Sequence, residues 1–325
     1  MRTVSFSNTD LQVTPLCLGT VNYGSALDRA LSLRQMSRYV EQGGNFIDSA
    51  RIYGVWAGEG EGLSERIIGQ WLKETGNRDK VILATKGAHP DWENMPVMRV
   101  KPSDIESDLD NSLINLGTDV IDLYFLHRDD PAVPVIDILT TLENARKAGK
   151  IRYYGCSNWS LPRLKEAQAL AKQEGFTGFS CNQLMWSLAD VRFDGLADKT
   201  FILMDDKTYD YHKQTDLSAM AYMSVAKGYF MRKLAGEQMP ASVTDVYDSP
   251  ENDEIFEVIK HQARDMGISP LMASLGYLMA QPFPAVPIAS FDDDQQLDDA
   301  MRCCNEKLPE VLCETFAKIK KFVTV

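Results

Sequence analysis

Short apolar runs alternate with stretches of helical spacing along nearly the whole chain, and the alternation occurs eight times. The apolar runs, each predicted to be a β-strand, are residues 15–18, 45–48, 81–85, 120–126, 151–156, 178–183, 219–224 and 285–289. Helices are predicted at residues 32–43, 63–72, 103–116, 134–149, 164–171, 204–215, 251–266 and 295–303. Nearly continuous apolar strands are typical of a parallel sheet that is covered on both faces. Eight strand–helix units in strict alternation favour an α/β fold whose sheet closes into a (β/α)8 TIM barrel.

The segments that flank this alternation are predicted to be a short N-terminal hairpin, residues 2–14, and a C-terminal helix, residues 308–322. Ser32 is predicted to cap the first helix, and Ser103 with Glu106 to form a capping box. No change of composition marks a linker, so residues 1–325 are predicted to form one domain. An open, doubly wound sheet is the alternative architecture.

The composition indicates a soluble globular protein, with 44% hydrophobic and 25% charged residues. The net charge of −12 argues against nucleic acid or an anionic membrane as a partner, and no apolar run approaches the ~20 residues of a membrane span. The six cysteines lack metal-site spacing and are predicted to be reduced thiols of a cytoplasmic protein. Four histidines without clustered ligands predict no metal site.

Four polar residues are predicted to meet at one end of the barrel. Asp48 ends the second strand and is followed by Tyr53 on the next loop, while Lys86 ends the third strand and His127 the fourth. The carboxyl ends of all strands of such a barrel open onto the same face, where active sites are built. Taken alone, each of these residues is more often structural or solvated than catalytic, but four of them on successive strand ends predict an active site.

The chemistry expected of this cluster is proton transfer to a carbonyl oxygen. A tyrosine hydroxyl is a weak acid and base unless a nearby ammonium stabilises the phenolate. Lys86 would supply that charge and lower the pKa of Tyr53, and Asp48 would hold Lys86 by an ion pair. His127 would donate a hydrogen bond to the substrate oxygen.

Several motifs occur in the order found in one known family, the aldo-keto reductases, which the chain resembles over essentially its whole length. They are Gly19-Thr20, Phe46-Ile47-Asp48-x-Ala50-x-x-Tyr53-Gly54, Ser64-Glu65, Ala84-Thr85-Lys86, Asp119-x-Ile121-Asp122-Leu123-Tyr124-x-Leu126-His127, Gly149-Lys150-Ile151-Arg152-x-x-Gly155-x-Ser157-Asn158 and Asn182-Gln183. The resemblance implies an eight-stranded α/β barrel. It also implies reduction of an aldehyde or ketone, or oxidation of the alcohol, with NADP(H) or NAD(H).

The resemblance assigns roles to individual residues. Tyr53 matches the general acid of the family, and Asp48, Lys86 and His127 match its supporting residues. The positions that match the family's cofactor site are Gly19, Thr20, Ser157, Asn158, Gln183, Trp186, Ser224, Ala226, Lys227, Gly228, Ser290, Phe291, Asp292 and Gln296. Trp186 falls where an aromatic residue usually stacks on the nicotinamide ring.

Two features concern specificity. The segment that usually meets the 2′-phosphate of NADP with basic or hydroxyl groups carries Asp292, Asp293 and Asp294, which predicts usable NADH. These aspartates are equally consistent with capping of the next helix. The aromatic residues Tyr23, Trp56, Trp92 and Trp159 are candidates for a substrate-binding wall or for packing.

The glycines at positions 58, 60 and 62 do not have the spacing of a dinucleotide-binding loop, and the adjacent Glu59 and Glu61 would repel a pyrophosphate. They predict a flexible loop near the pocket.

Two other functions are open to the same barrel. Lys86 at a strand end could form a Schiff base, as in class I aldolases, but Ser157, Asn158 and Gln183 would then have no role. Some members of the family are cofactor-binding regulatory subunits of potassium channels with little turnover. Because all four catalytic positions are filled here, an enzyme is the stronger prediction. The expected substrate is a small carbonyl compound, a sugar or a polyol.

Overall fold

The structure, a computed structural model, describes residues 1–320. Eight parallel strands close into a barrel in which the last strand pairs with the first. These strands are β3 (Cys17–Gly19), β4 (Phe46–Asp48), β5 (Ile82–Gly87), β6 (Ile121–Leu126), β7 (Ile151–Ser157), β8 (Cys181–Met185), β9 (Ser218–Tyr222) and β10 (Ala285–Ala289). The predicted TIM barrel is therefore confirmed, and the open sheet is excluded.

Helices surround the barrel. They are α1 (Arg29–Glu41), α2 (Leu63–Thr75), α3 (Pro102–Leu116), α4 (Val135–Lys147), α5 (Leu161–Glu174), α6 (Asp206–Thr215), α7 (Tyr229–Ala235), α8 (Ala241–Tyr247), α9 (Pro250–Val258), α10 (Pro270–Met279), α11 (Asp294–Cys303) and α12 (Glu310–Ile319). Three of them, α7, α8 and α10, were not predicted. Helix α10 is apolar on nearly all sides, so it lacks the amphipathic period that reveals a helix. The predicted end of α12 at Phe322 lies outside the described residues.

Two predicted helix caps are wrong. Helix α1 is capped by Asp28, whose carboxylate accepts a 2.8 Å hydrogen bond from the Leu31 N–H, and Ser32 is buried inside the helix. Helix α3 begins at Pro102, and the Asp104 carboxylate accepts the Lys101 N–H at 3.3 Å. In each case an acidic side chain near the helix start satisfies one of the free N–H groups at that end of the helix.

The predicted N-terminal hairpin is confirmed as β1 (Val4–Ser5) paired antiparallel with β2 (Gln12–Val13). Its Phe6 packs edge-on against Phe46, at the amino-terminal start of β4, with ring centroids 5.6 Å apart. The hairpin thus closes the end of the barrel where the strands begin. The opposite end of the barrel, at the carboxyl ends of the strands, is not covered by the hairpin and is open to form an active site.

The barrel interior is packed by one hydrophobic cluster that includes Cys17, Phe46, Ala84, Phe125, Cys181, Met220 and Ile288. Residues two apart on a strand point to the same face of a sheet. Two residues after these inward-facing positions come Gly19, Asp48, Lys86, His127, Gln183, Tyr222 and Ser290. The alternation of the strands therefore aims polar side chains into the mouth of the barrel.

Candidate active site

Lys86 is the centre of the polar cluster. Its Nζ donates hydrogen bonds to Asp48 Oδ2 at 2.5 Å, to the Ser49 carbonyl at 2.8 Å and to the Tyr53 hydroxyl at 3.1 Å. The other carboxylate oxygen of Asp48 accepts from Gln183 Nε2 at 3.0 Å. Every donor of the ammonium group is thus satisfied, and the carboxylate is held from two sides. The structure brings the predicted Asp–Lys–Tyr set together.

The charges of this cluster depend on burial and on the ion pair. Burial works to lower the pKa of Lys86, but the Asp48 carboxylate and the Tyr53 hydroxyl outweigh it and raise the pKa above its ordinary value. Lys86 is therefore an ammonium at neutral pH. For Tyr53 the direction is opposite to the sequence-based expectation, because burial raises the pKa of the phenol above its ordinary value while Lys86 only opposes this rise. Tyr53 is thus a protonated phenol at neutral pH.

His127 lies across the cavity from Tyr53, with ring centroids 5.9 Å apart. Burial and the nearby His89 and Arg128 hold the pKa of His127 well below its ordinary value, so the imidazole is neutral. Its Nδ1 is sealed from solvent without a hydrogen-bond partner among the residues described. A neutral ring with its proton on Nε2 is therefore able to donate to an oxygen in the cavity.

A cavity of about 610 Å³ opens at the carboxyl ends of the strands. The predicted site residues that line it are Gly19, Asp48, Tyr53, Trp56, Trp92, His127, Ser157, Asn158, Gln183, Ser224, Lys227 and Ser290. Lys86 lies directly beneath Tyr53, fully buried, with its Nζ 4.7 Å from the phenol ring centre. Twelve of the predicted residues therefore surround one space, and a thirteenth supports it from below.

Other predicted residues do not reach this cavity. They are Thr20, Tyr23, Trp159, Trp186, Ala226, Gly228, Phe291, Asp292 and Gln296. Thr20 is buried and donates to the Asp48 carbonyl at 2.9 Å, which supports the strand end. Tyr23 and Trp159 are each 1% exposed and belong to the core between strands and helices. Tyr23 and Trp159 were each predicted either to form part of a substrate-binding wall or to pack in the core, and both pack in the core.

Trp186 does not lie against the cavity, which corrects its assignment to the nicotinamide ring. It packs against Phe283, Tyr209 and Tyr277 in the core outside the barrel. The aromatic ring that does line the cavity on this side is Tyr222, the last residue of β9. Side chains an even number of residues apart on a strand point to the same face of the sheet. Tyr222 is two residues after the inward-facing Met220, whereas Trp186 is three residues after the inward-facing Gln183. The alternation of the strand therefore predicts that Tyr222, and not Trp186, points inward.

The loop that follows β9 has the backbone shape expected around a pyrophosphate. Met223, Ala226, Lys227 and Gly228 all have positive φ, between 49° and 78°. Left-handed residues in close succession turn backbone N–H groups towards one concave surface, which suits an anion. Together with the cavity-lining Ser224, this segment fits the diphosphate of a nicotinamide dinucleotide.

The acidic run after β10 is partly engaged in local contacts. The Asp293 carboxylate caps α11 by accepting the Gln296 N–H at 2.8 Å, so the capping interpretation is correct for this residue. Asp294 forms a 2.7 Å ion pair with Arg34 of α1. The Asp292 side chain is exposed and has no ion pair among residues 1–320.

The cavity also contains residues that the sequence-based prediction missed. They are Val21, Asn22, Ile52, His89, Met95, Arg128, Asp198, Phe201, Tyr222, Met223, Val225, Ile288 and Ala289. Most of them lie on loops after the strands, where no periodicity marks the direction of a side chain. Arg128 directly follows His127, and its guanidinium pairs with Asp198 at 3.0 Å and lies 5.4 Å from the Phe201 ring centre.

Within residues 1–320, no group of His, Cys, Asp or Glu side chains is arranged to hold a metal ion. The same part of the chain has no helix long and apolar enough to cross a membrane.

Comparison with known proteins agrees with this geometry. A model of the Aldo/keto reductase family matches residues 15–322. The uncharacterized oxidoreductase YrpG of Bacillus subtilis (strain 168) is 29% identical over 305 residues, which cover 90% of this chain and 88% of that protein. Protein tas of Escherichia coli (strain K12) is 27% identical over 338 residues, 94% of each chain. The aldo-keto reductase yakc [NADP(+)] of Schizosaccharomyces pombe is 35% identical over 158 residues, 47% of this chain and 44% of its own. The chain therefore belongs to the aldo/keto reductase family and is an NAD(P)-dependent oxidoreductase of small-molecule carbonyl compounds.

Proposed function

We propose that the protein reduces an aldehyde or ketone with Tyr53 as the general acid, and oxidises the alcohol with the same residue as the base. The observation that carries this proposal is the position of the Lys86 ammonium, which is 2.5 Å from Asp48 and 3.1 Å from the Tyr53 hydroxyl beside the cavity. A bound nicotinamide supplies or accepts the hydride. The residues of this chain orient the carbonyl and manage the proton.

The proton pathway follows from the contacts. The Tyr53 phenol is protonated at neutral pH, so it can give its proton to the carbonyl oxygen as negative charge develops there. Lys86 then stabilises the phenolate at 3.1 Å. His127, neutral and across the cavity, donates a second hydrogen bond to the same oxygen.

The cofactor is proposed to lie across the barrel mouth. Ser157, Asn158 and Gln183 would hold the nicotinamide amide, Tyr222 would cover its ring, and the loop 223–228 would hold the pyrophosphate. Gly19 and Ser290 lie next to each other there, since the Ser290 hydroxyl donates to the Gly19 carbonyl at 2.8 Å. A side chain at Gly19 would meet Ile288 and Ser290 at about 3 Å, so this close approach needs a glycine.

Lys86 is poorly suited to a Schiff base. It is 0% exposed, and all three hydrogens of its ammonium are directed at oxygen atoms. A nucleophilic lysine needs a lowered pKa, but the pKa of Lys86 is raised. The aldolase alternative therefore loses its main support. A regulatory subunit with little turnover would not need the complete Asp48–Tyr53–Lys86–His127 set, so we propose an enzyme.

Two broader expectations are part of the proposal. Residues 1–325 are proposed to form one domain, in line with a single closed barrel. A cytoplasmic location is proposed because the six cysteines are free thiols and five of them are buried.

The test compares the turnover of wild type and of Tyr53→Phe with a panel of aldehydes and ketones. Turnover is measured as the loss of NAD(P)H absorbance. Removing a positioned acid should lower turnover by ~10²–10⁴. Cofactor affinity, measured by calorimetry, should stay within about twofold, because the phenyl ring keeps its volume. A Tyr53→Phe enzyme that retains more than a tenth of wild-type turnover, with the chemical step limiting, would show that Tyr53 is not the acid.

A further inference from the structure

His89 is a cavity-lining residue that the proton chemistry described above does not use. It follows β5 after Ala88, which has a φ of 60°, unusual for a residue with a side chain. The Ala88 N–H donates to Asp108 Oδ2 at 2.8 Å, which holds this strained turn in place. Strained backbone is concentrated at functional sites, where it aims a particular side chain. Here the turn puts the imidazole of His89 in the wall of the cavity.

The hydrogen bonds of His89 define its tautomer. Its Nδ1 lies 2.8 Å from the carbonyl oxygen of Pro90, which can only accept, so Nδ1 carries the proton. Burial, together with the positive charge of Arg128, lowers the pKa of His89 to about 4. The ring is therefore neutral at physiological pH, and its Nε2 presents a lone pair.

That lone pair is available to a ligand. Nε2 has no hydrogen-bond partner among residues 1–320, and it is not one of the polar atoms sealed from solvent. The nearby cation, Arg128, is committed elsewhere, because its two terminal nitrogens donate to the His127 carbonyl and to Asp198, each at 3.0 Å. His89 thus offers an unfilled hydrogen-bond acceptor in the cavity.

The acceptor lies beside the group that orients the reacting oxygen. The ring centroids of His89 and His127 are 4.8 Å apart, and His127 faces Tyr53. Tyr53 and His127 both donate to the carbonyl oxygen in the proposed reaction. A second oxygen on the neighbouring carbon of the same molecule would then reach His89. Since Nε2 only accepts, that second oxygen must carry a hydrogen.

We propose that His89 is a substrate-recognising residue that accepts a hydrogen bond from a hydroxyl group on the carbon next to the reacting carbonyl. This inference rests on the proposed function and specifies its substrate class: α-hydroxy aldehydes and α-hydroxy ketones. Plain aldehydes leave the acceptor unsatisfied, and 1,2-dicarbonyl compounds place a second acceptor against it, which is repulsive.

Three aldehydes with the same three-carbon skeleton test the inference: lactaldehyde, propanal and methylglyoxal, which carry a hydroxyl group, hydrogen and a carbonyl on the second carbon. The measured quantity is the ratio of kcat/KM values for two of these substrates, determined in wild type and in each variant. The intrinsic reactivity of the substrates is the same for every enzyme, so it cancels when the ratios of two enzymes are compared. Wild type should favour lactaldehyde over propanal by about tenfold more than His89→Phe does, the gain expected of a good hydrogen bond. The ratio of lactaldehyde to methylglyoxal should change in the same direction.

Two further variants complete the design. His89→Gln places an amide oxygen near the position of Nε2 and should restore part of the preference. His261→Phe replaces an exposed histidine on the continuation of α9 and should leave all ratios unchanged. If His89→Phe does not fold, His89→Gln still tests the inference. A lactaldehyde-to-propanal ratio of kcat/KM values that lies between the wild-type ratio and one would support it.

The possible failures can be told apart. Reduction of propanal and lactaldehyde with the same ratio in wild type, His89→Phe and His89→Gln would overturn the role of His89 and leave the proposed function intact. Failure of wild type to reduce any carbonyl compound would overturn the proposed function, and this inference with it.

Discussion

The hydroxyl group of Tyr222 donates a 2.6 Å hydrogen bond to Oδ1 of Asn158 across the barrel mouth. The same oxygen accepts the Ile202 N–H at 3.1 Å, and Asn158 Nδ2 donates to the His127 carbonyl at 3.3 Å. Asn158 itself has a left-handed φ of 59°. The ring of Tyr222 is therefore fixed to a strand end that also contacts the His127 backbone.

The first prediction is that Tyr222, and not Trp186, covers the nicotinamide. Tyr222→Ala should weaken NADPH binding by about tenfold, near the upper end of the ~0.5–1.5 kcal/mol that aromatic pairs contribute. Tyr222→Phe keeps the ring and should lose less. Calorimetric titration with NADPH gives the dissociation constants.

Trp186→Phe is the matched comparison, because Trp186 is 2% exposed and packs on Phe283 outside the barrel. It should reduce stability slightly and leave the dissociation constant unchanged. A larger loss of affinity in Trp186→Phe than in Tyr222→Ala would return the stacking role to Trp186.

This pair shows what could be predicted from the sequence. The apolar strands and their polar ends defined the barrel and brought Asp48, Lys86 and His127 to one mouth, because parallel strands finish on one face. The direction of a side chain was predictable only within a strand, where successive side chains alternate between the two faces of the sheet. His89, Arg128 and Asp198 lie on loops, where long-range contacts such as that of Arg128 with Asp198 decide the direction. Such contacts leave no pattern in the sequence.

The second prediction concerns Lys86→Met, which removes the largest of the influences that lower the pKa of Tyr53. Burial and Asp48 then raise the pKa of the phenol further. Alcohol oxidation needs the phenolate, so its rate should fall at neutral pH and its rise with pH should move to higher pH. Full pH profiles in both directions provide the measurement. An unchanged profile in a Lys86→Met enzyme that still turns over would make Lys86 purely structural.

The same variant has a predicted effect on stability. Asp48 would be buried without its cation, which should cost ~3–5 kcal/mol at neutral pH. Burial would raise its pKa above the ~3.9 of the unfolded chain, so the folded state would bind a proton more readily. The penalty is then present at high pH and shrinks as pH falls through the raised folded pKa. The unfolding midpoint of Lys86→Met should differ less from that of wild type at about pH 5 than at about pH 8. The double variant with Lys86→Met and Asp48→Asn should recover stability at pH 8.

The third prediction concerns Arg51, a buried cation that joins two loops at the cavity. It pairs with Glu61 on one loop and with Asp91 on the other, at 3.3 Å. These loops carry Trp56 and Trp92, whose ring centroids are 5.8 Å apart. Arg51→Met should therefore raise KM for carbonyl substrates severalfold, because the aromatic pair loses its support, with little change in cofactor affinity.

The control for Arg51 is Arg66→Met on α2, since Arg66 donates to the Glu59 and Glu61 carbonyls of the first loop only. It should change KM less. Both variants should be compared by thermal unfolding, because Arg51 also pairs with the fully buried Asp108 at 3.2 Å and its loss should destabilise the fold. A lower unfolding temperature with an unchanged KM would limit Arg51 to stability.

The last prediction concerns cofactor choice. Three candidate cations for a 2′-phosphate are engaged: Arg34 with Asp294, Arg302 with Asp299, and Lys227 Nζ with the Ser242 carbonyl at 3.3 Å. The exposed Asp292 would repel such a phosphate by ~1 kcal/mol at 4 Å in water, and by more in a partly dry site. NADH should therefore be usable.

Steady-state kinetics with both cofactors measure this preference as a ratio of kcat/KM values. Asp292→Asn should raise the ratio of NADPH to NADH about fivefold, the equivalent of ~1 kcal/mol. Glu106→Gln, which removes one exposed charge from α3, should leave the ratio unchanged. A wild-type preference for NADPH of a hundredfold or more, ~2.7 kcal/mol, would contradict the prediction. It would mean that Asp292 faces away from the ribose and that one of the engaged cations exchanges its partner for the phosphate.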